Sequence, residues 1–251
     1  MKKLAYTNGA SNIPLLGETI DENLRKTVAK YPNKEALIVS HQNYRATYAE
    51  FYEQVTAVAK GLIALGVKSG DRVGIWSPNC SEWTLLQFAT AKIGVIMVNI
   101  NPAYRTSELI YVINQSGIAY MFAAEKFKSS DYRKMIDDAR EFTESLRKEV
   151  FWGEEWQRFL EKGKKISDEK LKEYEDKVQF DDPVNIQYTS GTTGNPKGVT
   201  LSHHNILNNA YFIGIRMNYT EKDRVCIPVP FYHCFGMVIG NLCCTSHFGS
   251  G

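Results

Sequence analysis

The stretch Tyr188-Thr-Ser-Gly-Thr-Thr-Gly-Asn-Pro-Lys-Gly-Val199 decides how this chain folds and which chemistry it can support. It follows Val184–Tyr188, which we predict to be the strand that delivers it. Glycine allows positive φ angles and a close approach of the backbone to an anion, and neighbouring N–H groups can form a nest for phosphate oxygens. We therefore predict a phosphate loop at residues 188–199, lying between two strands and mobile without ligand.

The polar side chains of this loop suit a phosphate group. Ser190, Thr192 and Thr193 can donate hydrogen bonds, and Lys197 adds a positive charge that can follow a phosphate during reaction. The spacing is not that of a Walker A loop, because the first two glycines are too close together. It is not the G-x-G-x-x-G dinucleotide fingerprint either. The alternative is a polar, glycine-rich surface hairpin, which the length of the motif disfavours.

Outward from the loop, the chain alternates between strand and helix patterns. Thr47 and Glu50 form a T-x-x-E capping box that begins an amphipathic helix, and Gly66 supplies its stop. Ser81 is predicted to cap the next helix, which runs to about Ile93. The alternation predicts an α/β fold built on parallel βαβ units, without fixing the order of the strands. The other predicted features are strands at Val73–Trp76, Val95–Asn99 and Ala119–Ala123, helices from Thr106 and from Asp131 to about Arg147, a solvated helix or linker at residues 161–177, and core positions for Trp76 and Trp83.

The composition limits the function classes. The chain has 251 residues, of which 43% are hydrophobic, enough to bury a substantial core. The formal net charge of +2 gives no electrostatic case for a nucleic-acid or membrane-surface partner, and no apolar run approaches the ~20 residues of a membrane span. The five cysteines form no CxxC pair, which disfavours a disulfide framework or a zinc site. They predict reduced, mostly buried thiols in a cytoplasmic protein.

At these residues the sequence resembles a known family. The pattern Y-T-S-G-T-T-G-x-P-K-G-V is similar to the phosphate-binding signature of the adenylate-forming (AMP-binding) superfamily. The resemblance is to its medium-chain and related fatty acyl-CoA synthetases, and it runs from about residue 18 to about residue 245. It implies that the fold is that of the family's large N-terminal domain. The matching segments outside the loop are Thr47–Gly66, Gly70–Val73, Pro78-Asn79, Val98–Tyr104, Thr200–Asn205 and Pro228–Asn241.

The resemblance implies a two-step reaction. The carboxylate of a fatty acid attacks the α-phosphate of ATP to give an acyl-adenylate and pyrophosphate, and the thiol of CoA then forms a thioester. Mg²⁺, hydroxyls, backbone N–H groups and a lysine neutralise the charge on the leaving pyrophosphate. The resemblance assigns no metal ligand in this chain. It assigns to the β- and γ-phosphates the loop residues Thr189, Ser190, Gly191, Thr192, Thr193, Gly194, Asn195, Pro196 and Lys197.

Two residues are predicted to take part in the reaction, Lys197 at the phosphates and His233 in the acyl pocket. From the residues alone, His233 fits a hydrogen-bonded core histidine, whereas the resemblance implies a place beside the substrate carboxylate. We assign it positioning rather than general-base work, because a carboxylic acid is already ionised near pH 7. Cys234 is disfavoured as its nucleophilic partner, because neighbours in an extended segment point to opposite faces. Two further histidines, predicted to be surface residues and not metal ligands, are His203 and His204.

The chain differs from the family in what it lacks. No Tyr-Gly-x-Thr-Glu segment, Thr-Gly-Asp segment or small C-terminal domain with a catalytic lysine follows His233, so residues 1–251 are predicted to be a partial, truncated N-terminal domain. The connection around Leu146–Trp152 is abrupt for the family. Three functions stay open: acyl-CoA synthetase activity in a longer parent protein, nucleotide or acyl binding without turnover, and adenylation with an acceptor other than CoA. The oligomeric state stays open too.

Overall fold

A computed structural model of the protein describes residues 12–189 and 194–247. The strands in these ranges are β1 Glu35–Val39, β2 Tyr44–Thr47, β3 Arg72–Trp76, β4 Ile96–Asn99, β5 Tyr120–Ala123, β6 Lys126–Phe127, β7 Ser130–Asp131, β8 Lys148–Phe151, β9 Pro183–Thr189 and β10 Lys197–Ser202. The helices are α1 Ile20–Lys30, α2 Tyr48–Leu65, α3 Ser81–Lys92, α4 Thr106–Ser116, α5 Tyr132–Arg140, α6 Glu154–Gly163, α7 Asp168–Glu175, α8 His203–Met217 and α9 Cys243–His247, with a π-helix at Phe235–Leu242. None of these helices combines the length and hydropathy that a membrane span needs.

The main sheet has six strands in the order β10-β9-β4-β3-β5-β8. The five strands from β9 to β8 pair in parallel, and only β10 runs antiparallel to its neighbour β9. The connections β3-α3-β4 and β4-α4-β5 are the βαβ units that the alternating pattern predicts, since parallel strands need a crossover between them. The α/β fold with parallel βαβ units is thus confirmed. The small ribbons β1-β2 and β6-β7 lie apart from this sheet.

Helix α2 begins and ends as predicted. The Thr47 side chain accepts from the backbone N–H of Glu50, the Glu50 side chain accepts from that of Thr47, and Gly66 ends the helix at φ 96°. The prediction that Ser81 caps α3 is wrong. Cys80 holds the cap position without a side-chain hydrogen bond, and the N–H of Ser81 donates to Gln42 Oε1 at 2.7 Å. The cap therefore comes from a segment distant in sequence, which local pattern does not show.

The segment after α5 also differs from expectation. The helix ends at Arg140 instead of near Arg147, because successive turns follow it, with Phe142 N donating to Ala139 O and Thr143 N to Arg140 O. Residues that we predicted as the end of a helix and an abrupt connection lead instead into β8, which pairs in parallel with β5 at the sheet's edge. The charged segment 161–177 contains the end of α6 and all of α7, whose residues other than Leu171 are not buried.

Two apolar cores lie on opposite faces of the sheet. One contains Trp83 and is covered by α1, α2, α3 and α6. The other contains Trp76 and is covered by α4 and α5. Trp76 stacks on Tyr132 of α5 with ring centroids 3.6 Å apart. Both tryptophans are fully buried, which confirms the predicted core positions. With both faces covered, the exposed ends of the strands are where a ligand can reach the sheet.

Candidate active site

The phosphate-loop segment connects β9 to β10. β9 ends at Thr189 and β10 begins at Lys197, and these two residues pair across the antiparallel ladder. The prediction that the loop lies between two strands is confirmed. The central residues Ser190, Gly191, Thr192 and Thr193 lie outside the described residues, as does the predicted mobility that concerns them. Gly194 has φ +123°, a conformation that side chains rarely adopt.

Helix α4 anchors both arms of this hairpin. Tyr111 Oη donates to Pro196 O at 2.9 Å on the outgoing arm, and Tyr188 Oη donates to Val112 O at 3.3 Å on the incoming arm. Gln115 Nε2 donates in turn to Tyr111 Oη at 2.8 Å. Two tyrosines thus fix the ends of the loop to a helix that starts 82 residues before it, with Thr106 as its first residue and Tyr188 as the first of the loop. Sequence reasoning missed this role for Tyr111, since nothing in the local pattern connects α4 to the loop.

Gly198 packs closely against the ring of Tyr188. The two residues are directly opposite in the β9-β10 ladder. A Cβ at position 198 would lie 3.2 Å from Ile186 Cγ2 and 3.3 Å from Tyr188 Cζ, closer than ordinary van der Waals contact. Because position 198 has no side chain, the Tyr188 ring has the space it needs to reach α4. The third glycine of the motif therefore serves the packing of the loop's arms.

A cavity of about 580 Å³ opens at the ends of β4 and β9. Described residues of the loop line it together with His233, whereas Lys197 is not part of the lining. Lys197 and Asn195 are exposed beside Pro196 at the start of β10. The cavity therefore brings the described loop residues Thr189 and Pro196 to the same space as His233. Its complete lining is Asn99, Asn101, Tyr104, Gln187, Tyr188, Thr189, Pro196, Val199, Leu201, Tyr232, His233 and Cys234.

His233 is an exposed residue of a turn, so the core-histidine interpretation is wrong for this position. Its backbone N–H donates to Pro230 O at 3.2 Å, and its ring Nδ1 accepts from the backbone N–H of Phe235 at 3.2 Å. Because Nδ1 is the acceptor, the neutral ring carries its proton on Nε2 and can donate it to a ligand. The extended segment expected here is a turn that leads into the π-helix.

Cys234 does not pair with the neighbouring histidine. Its thiol donates to Gln187 Oε1 at 2.8 Å, and burial raises its pKa, which disfavours a thiolate. Cys234 is thus not the nucleophilic partner of His233, as expected, but the reason given for that expectation, an extended backbone, is wrong. Together with Asn99, Gln187 and Met237, Cys234 forms the base of the cavity region, and we call these four residues the cavity floor. The sequence analysis did not single out the other three residues. For Asn99 and Gln187 a signal was available, because each is an amide in a strand of a sheet that is covered on both faces.

His203 and His204 follow Ser202, which caps α8 by accepting from Asn205 N. The surface prediction is wrong for His203, which is 0% exposed and accepts a hydrogen bond at Nδ1 from Ile20 N at 3.2 Å. Burial lowers its pKa to about 4. His204 is half-buried, with its ring 5.6 Å from that of Phe180. The packing of α1 against the start of α8 explains the difference.

The five cysteines are all free. Cys80, Cys243 and Cys244 are buried, Cys234 is half-buried and Cys226 is exposed, so the expectation of mostly buried thiols is confirmed. Burial raises the pKa of Cys80 to about 12 and that of Cys243 to about 11. Over residues 12–189 and 194–247, no group of three or more His, Cys, Asp or Glu side chains could hold a metal ion.

Several known proteins are similar to this chain in sequence or in fold. The chain is 41% identical over 268 aligned positions to the medium-chain acyl-CoA ligase ACSF2, mitochondrial, of Danio rerio, covering 95% of this chain and 43% of that protein. Among solved structures, it is similar to the N-terminal domain of FACL13 from Mycobacterium tuberculosis (TM-score 0.79, 24% identity, 93% of this chain and 56% of that one). It is also similar to the long-chain-fatty-acid-CoA ligase FadD1 of Archaeoglobus fulgidus (TM-score 0.82, 22% identity, 99% of this chain and 49% of that one).

The two structural similarities establish the fold alone, and the chain spans less than half the length of the curated relative it matches. The family assignment rests on a wider match. The AMP-binding enzyme family matches residues 24–249, which include the phosphate-loop segment, the cavity lining and the His233 turn. The resemblance proposed from the loop is thereby confirmed, and the chain belongs to the AMP-binding enzyme family.

Proposed function

We propose that the complete protein containing this chain activates a medium-chain fatty acid with ATP and transfers the acyl group to CoA. The observation that carries the proposal is one cavity lined by both Thr189 and Pro196 of the loop and by His233. The carboxylate has to reach the α-phosphate of the same ATP molecule whose β- and γ-phosphates the loop holds, so a shared cavity is what acyl-adenylate formation requires. The 41% identity to a ligase named for medium-chain acids supports the chain length and the CoA acceptor, and it does not favour binding without turnover.

In this proposal the loop residues Thr189–Lys197 bind the β- and γ-phosphates of ATP. Backbone N–H groups and hydroxyls would contact the phosphate oxygens, and Lys197, exposed at the start of β10, would place its ammonium against the leaving pyrophosphate. The α4 anchors at Pro196 and Tyr188 hold the arms, so that ligand binding has to order only the tip. The role of Lys197 is to neutralise charge that develops as the α–β bond breaks.

His233 acts in the proposal by orienting the acid. Its Nε2–H is free to donate to one carboxylate oxygen, because Nδ1 is already occupied by Phe235 N. The other carboxylate oxygen then attacks the α-phosphorus, and the P–O bond to pyrophosphate breaks. The carboxylate needs no base, since it is ionised near pH 7. The tyrosines, Val199 and Leu201 that line the same cavity offer apolar surface for the acyl chain.

The chain is proposed to supply part of the large N-terminal domain of this enzyme, in agreement with its similarity to an N-terminal domain of FACL13. Mg²⁺ is proposed to arrive with ATP, held by phosphate oxygens, which are hard oxygen donors of the kind it prefers. When bound it would neutralise charge on the β- and γ-phosphates. For the compartment, the predicted cytoplasmic location stays a prediction; the ACSF2 relative is named as mitochondrial.

A pyrophosphate-release assay on the complete protein tests the proposal. With ATP, Mg²⁺ and octanoate, we expect pyrophosphate and acyl-AMP before CoA is added, and octanoyl-CoA with AMP after it. Acetate and hexadecanoate serve as short and long comparisons and are expected to react more slowly. No pyrophosphate above background would contradict adenylation, and pyrophosphate without thioester would contradict the CoA step alone.

A further inference from the structure

The cavity floor contains an unusual acceptor. Met237 is 1% exposed, and its sulfur receives two amide donors: Asn99 Nδ2 at 3.0 Å and Gln187 Nε2 at 2.9 Å. A thioether is a weak acceptor, so a buried sulfur would ordinarily pack among apolar groups. Leaving two buried N–H groups without this acceptor would be costly, so the arrangement fixes the position of the sulfur relative to β4 and β9.

The same two amides hold the residues on either side of His233. Asn99 Nδ2 also donates to Tyr232 O at 3.2 Å, and Gln187 Oε1 accepts from the Cys234 thiol at 2.8 Å. Asn99 is itself oriented by Asn185, whose Nδ2 donates to Asn99 Oδ1 at 2.9 Å. The amides therefore contact residues 232, 234 and 237, and His233 lies within that span.

Met237 is connected to His233 through the main chain as well. Its backbone N–H donates to His233 O at 3.2 Å, and its own carbonyl accepts from Gln87 Nε2 at 3.2 Å. Met237, which ends the turn that begins at His233, thus has its side chain, its N–H and its C=O all engaged in hydrogen bonds. The His233 ring needs this turn intact, because the acceptor role of Nδ1 depends on the direction of the Phe235 N–H.

We infer that Met237 is a positioning residue for His233. Its sulfur, held by Asn99 and Gln187, fixes the turn that keeps the His233 ring in its Nε2–H form and aimed into the cavity. The inference rests on the proposed function for its catalytic consequence. Met237 is the informative position, because Asn99 and Gln187 line the cavity and can meet a substrate directly, whereas Met237 is absent from the lining. An effect of Met237 on the reaction therefore has to pass through other residues.

The test is Met237→Leu in the complete protein, which keeps the apolar volume and removes the acceptor. Ring nitrogen signals of ¹⁵N-histidine-labelled protein report the tautomer, with His233→Gln identifying the signals of His233. We expect wild type to show Nε2–H and Met237→Leu to show a mixture of tautomers. We also expect kcat for adenylation to fall about 10-fold, as loss of buried hydrogen bonds implies, with KM for ATP unchanged. The matched control is Met121→Leu, a fully buried methionine in the opposite core, which should leave the ring signals and kcat as in wild type.

The outcomes separate the two proposals. Unchanged His233 signals in folded Met237→Leu, or an equal change in Met121→Leu, would overturn the positioning role. Absence of turnover in wild type would overturn the proposed function alone, since the tautomer measurement needs no activity. Where Met237→Leu fails to fold, Met237→Ile read by the same ring signals decides: a tautomer mixture supports the positioning role, and the wild-type signal overturns it.

Discussion

Two buried polar clusters in this molecule are built from different chemistry. At the meeting point of α1, α2, α3 and α7, Lys92 Nζ lies 3.1 Å from Asp21 Oδ1, 2.9 Å from Glu175 Oε1 and 2.6 Å from Tyr52 Oη. We call these four residues the helix junction. The Lys92 side chain is only 2% exposed. The cavity floor, by contrast, is built from two amides, a thioether and a thiol, none of which carries a charge.

The difference shows where charge is used for structure and where it is kept free for a ligand. Burial lowers the pKa of Lys92, but Asp21, Tyr52 and Glu175 outweigh it, and the pKa stands above its ordinary value. Burial also raises the pKa of Asp21, although Lys92 and Arg25 oppose the rise, so the junction holds its ion pairs against a desolvation cost, and its partners are already satisfied. The cavity floor presents neutral groups beneath an open cavity, beside exposed Lys197 and His233. A perturbed pKa alone would have directed attention to the junction, which lies away from the cavity lining.

The largest expected effect comes from breaking the helix junction. Lys92→Met leaves Asp21 and Glu175 without their buried cation, which should lower the free energy of unfolding by about 3–5 kcal/mol. Urea unfolding measures the loss. The control is Lys170→Met, which removes an exposed pair with Glu173 and should have a much smaller effect. ATP affinity of the folded Lys92 variant should stay at the wild-type value; a large change in it would mean that junction and cavity are coupled.

The corresponding change on the cavity side is Lys197→Ala. Adenylation in the complete protein should slow by about 10²–10³-fold, because a charge is removed that acts on the developing pyrophosphate. The urea midpoint should hardly move, since the residue is exposed. Pyrophosphate release and urea unfolding are the two measurements, with exposed Lys165→Ala as the control. A normal adenylation rate in a stable Lys197→Ala protein would remove the role proposed for this lysine.

The same contrast explains how much the sequence could predict. Local rules were sufficient where one segment carries the whole signal, as in the capping box of α2 and the glycine-rich motif after β9. These rules also predicted the parallel βαβ units, whereas the family came from the resemblance of the glycine-rich motif. His233 came from the resemblance, since the residues alone favoured a core histidine.

The predictions for the α3 cap and for His203 failed because the cause lies in a distant segment. The cap of α3 comes from Gln42, and the burial of His203 comes from Ile20. Met237 reads as an ordinary apolar position, and only the folded sheet brings Asn99 and Gln187 to its sulfur. Strand order has the same origin, because neighbours such as β4 and β9 are far apart in the chain. Residues defined by a tertiary contact carry no local periodicity that could reveal them.

His203 connects the helix junction with the strand that begins at Lys197, and its contribution to stability should depend on pH. The residue follows β10, which begins with Lys197, and accepts from Ile20 N beside Asp21 of the junction. Its pKa is lowered by burial from 6.5 to about 4, so between these values the unfolded chain binds the proton and the folded chain does not. Stability from this residue is complete above pH 6.5 and is lost as the pH falls towards 4, by about 3 kcal/mol.

The pH dependence of urea unfolding from pH 7 to pH 4 checks this expectation. His203→Asn offers an acceptor to Ile20 N without titrating, so its unfolding free energy should fall less over the same range. Exposed His41→Asn is the control and should follow wild type. Parallel curves for His203→Asn and wild type would show that the buried ring contributes nothing to the acid sensitivity.

The smallest expected effect concerns the arms of the loop. Gly198→Ala places a Cβ 3.2 Å from Ile186 Cγ2 and 3.3 Å from Tyr188 Cζ, so the tyrosine ring has to move by a few tenths of an ångström. Such overpacking should cost about 1 kcal/mol of stability, and displacement of the ring from Val112 O should weaken ATP binding slightly. Urea unfolding and equilibrium ATP titration measure the two effects. Gly17→Ala, where an added Cβ meets nothing within 4 Å, is the matched control and should change neither quantity. If Gly198→Ala changes neither as well, the Tyr188 ring accommodates the added methyl group, and the glycine is not needed for the Tyr188 anchor.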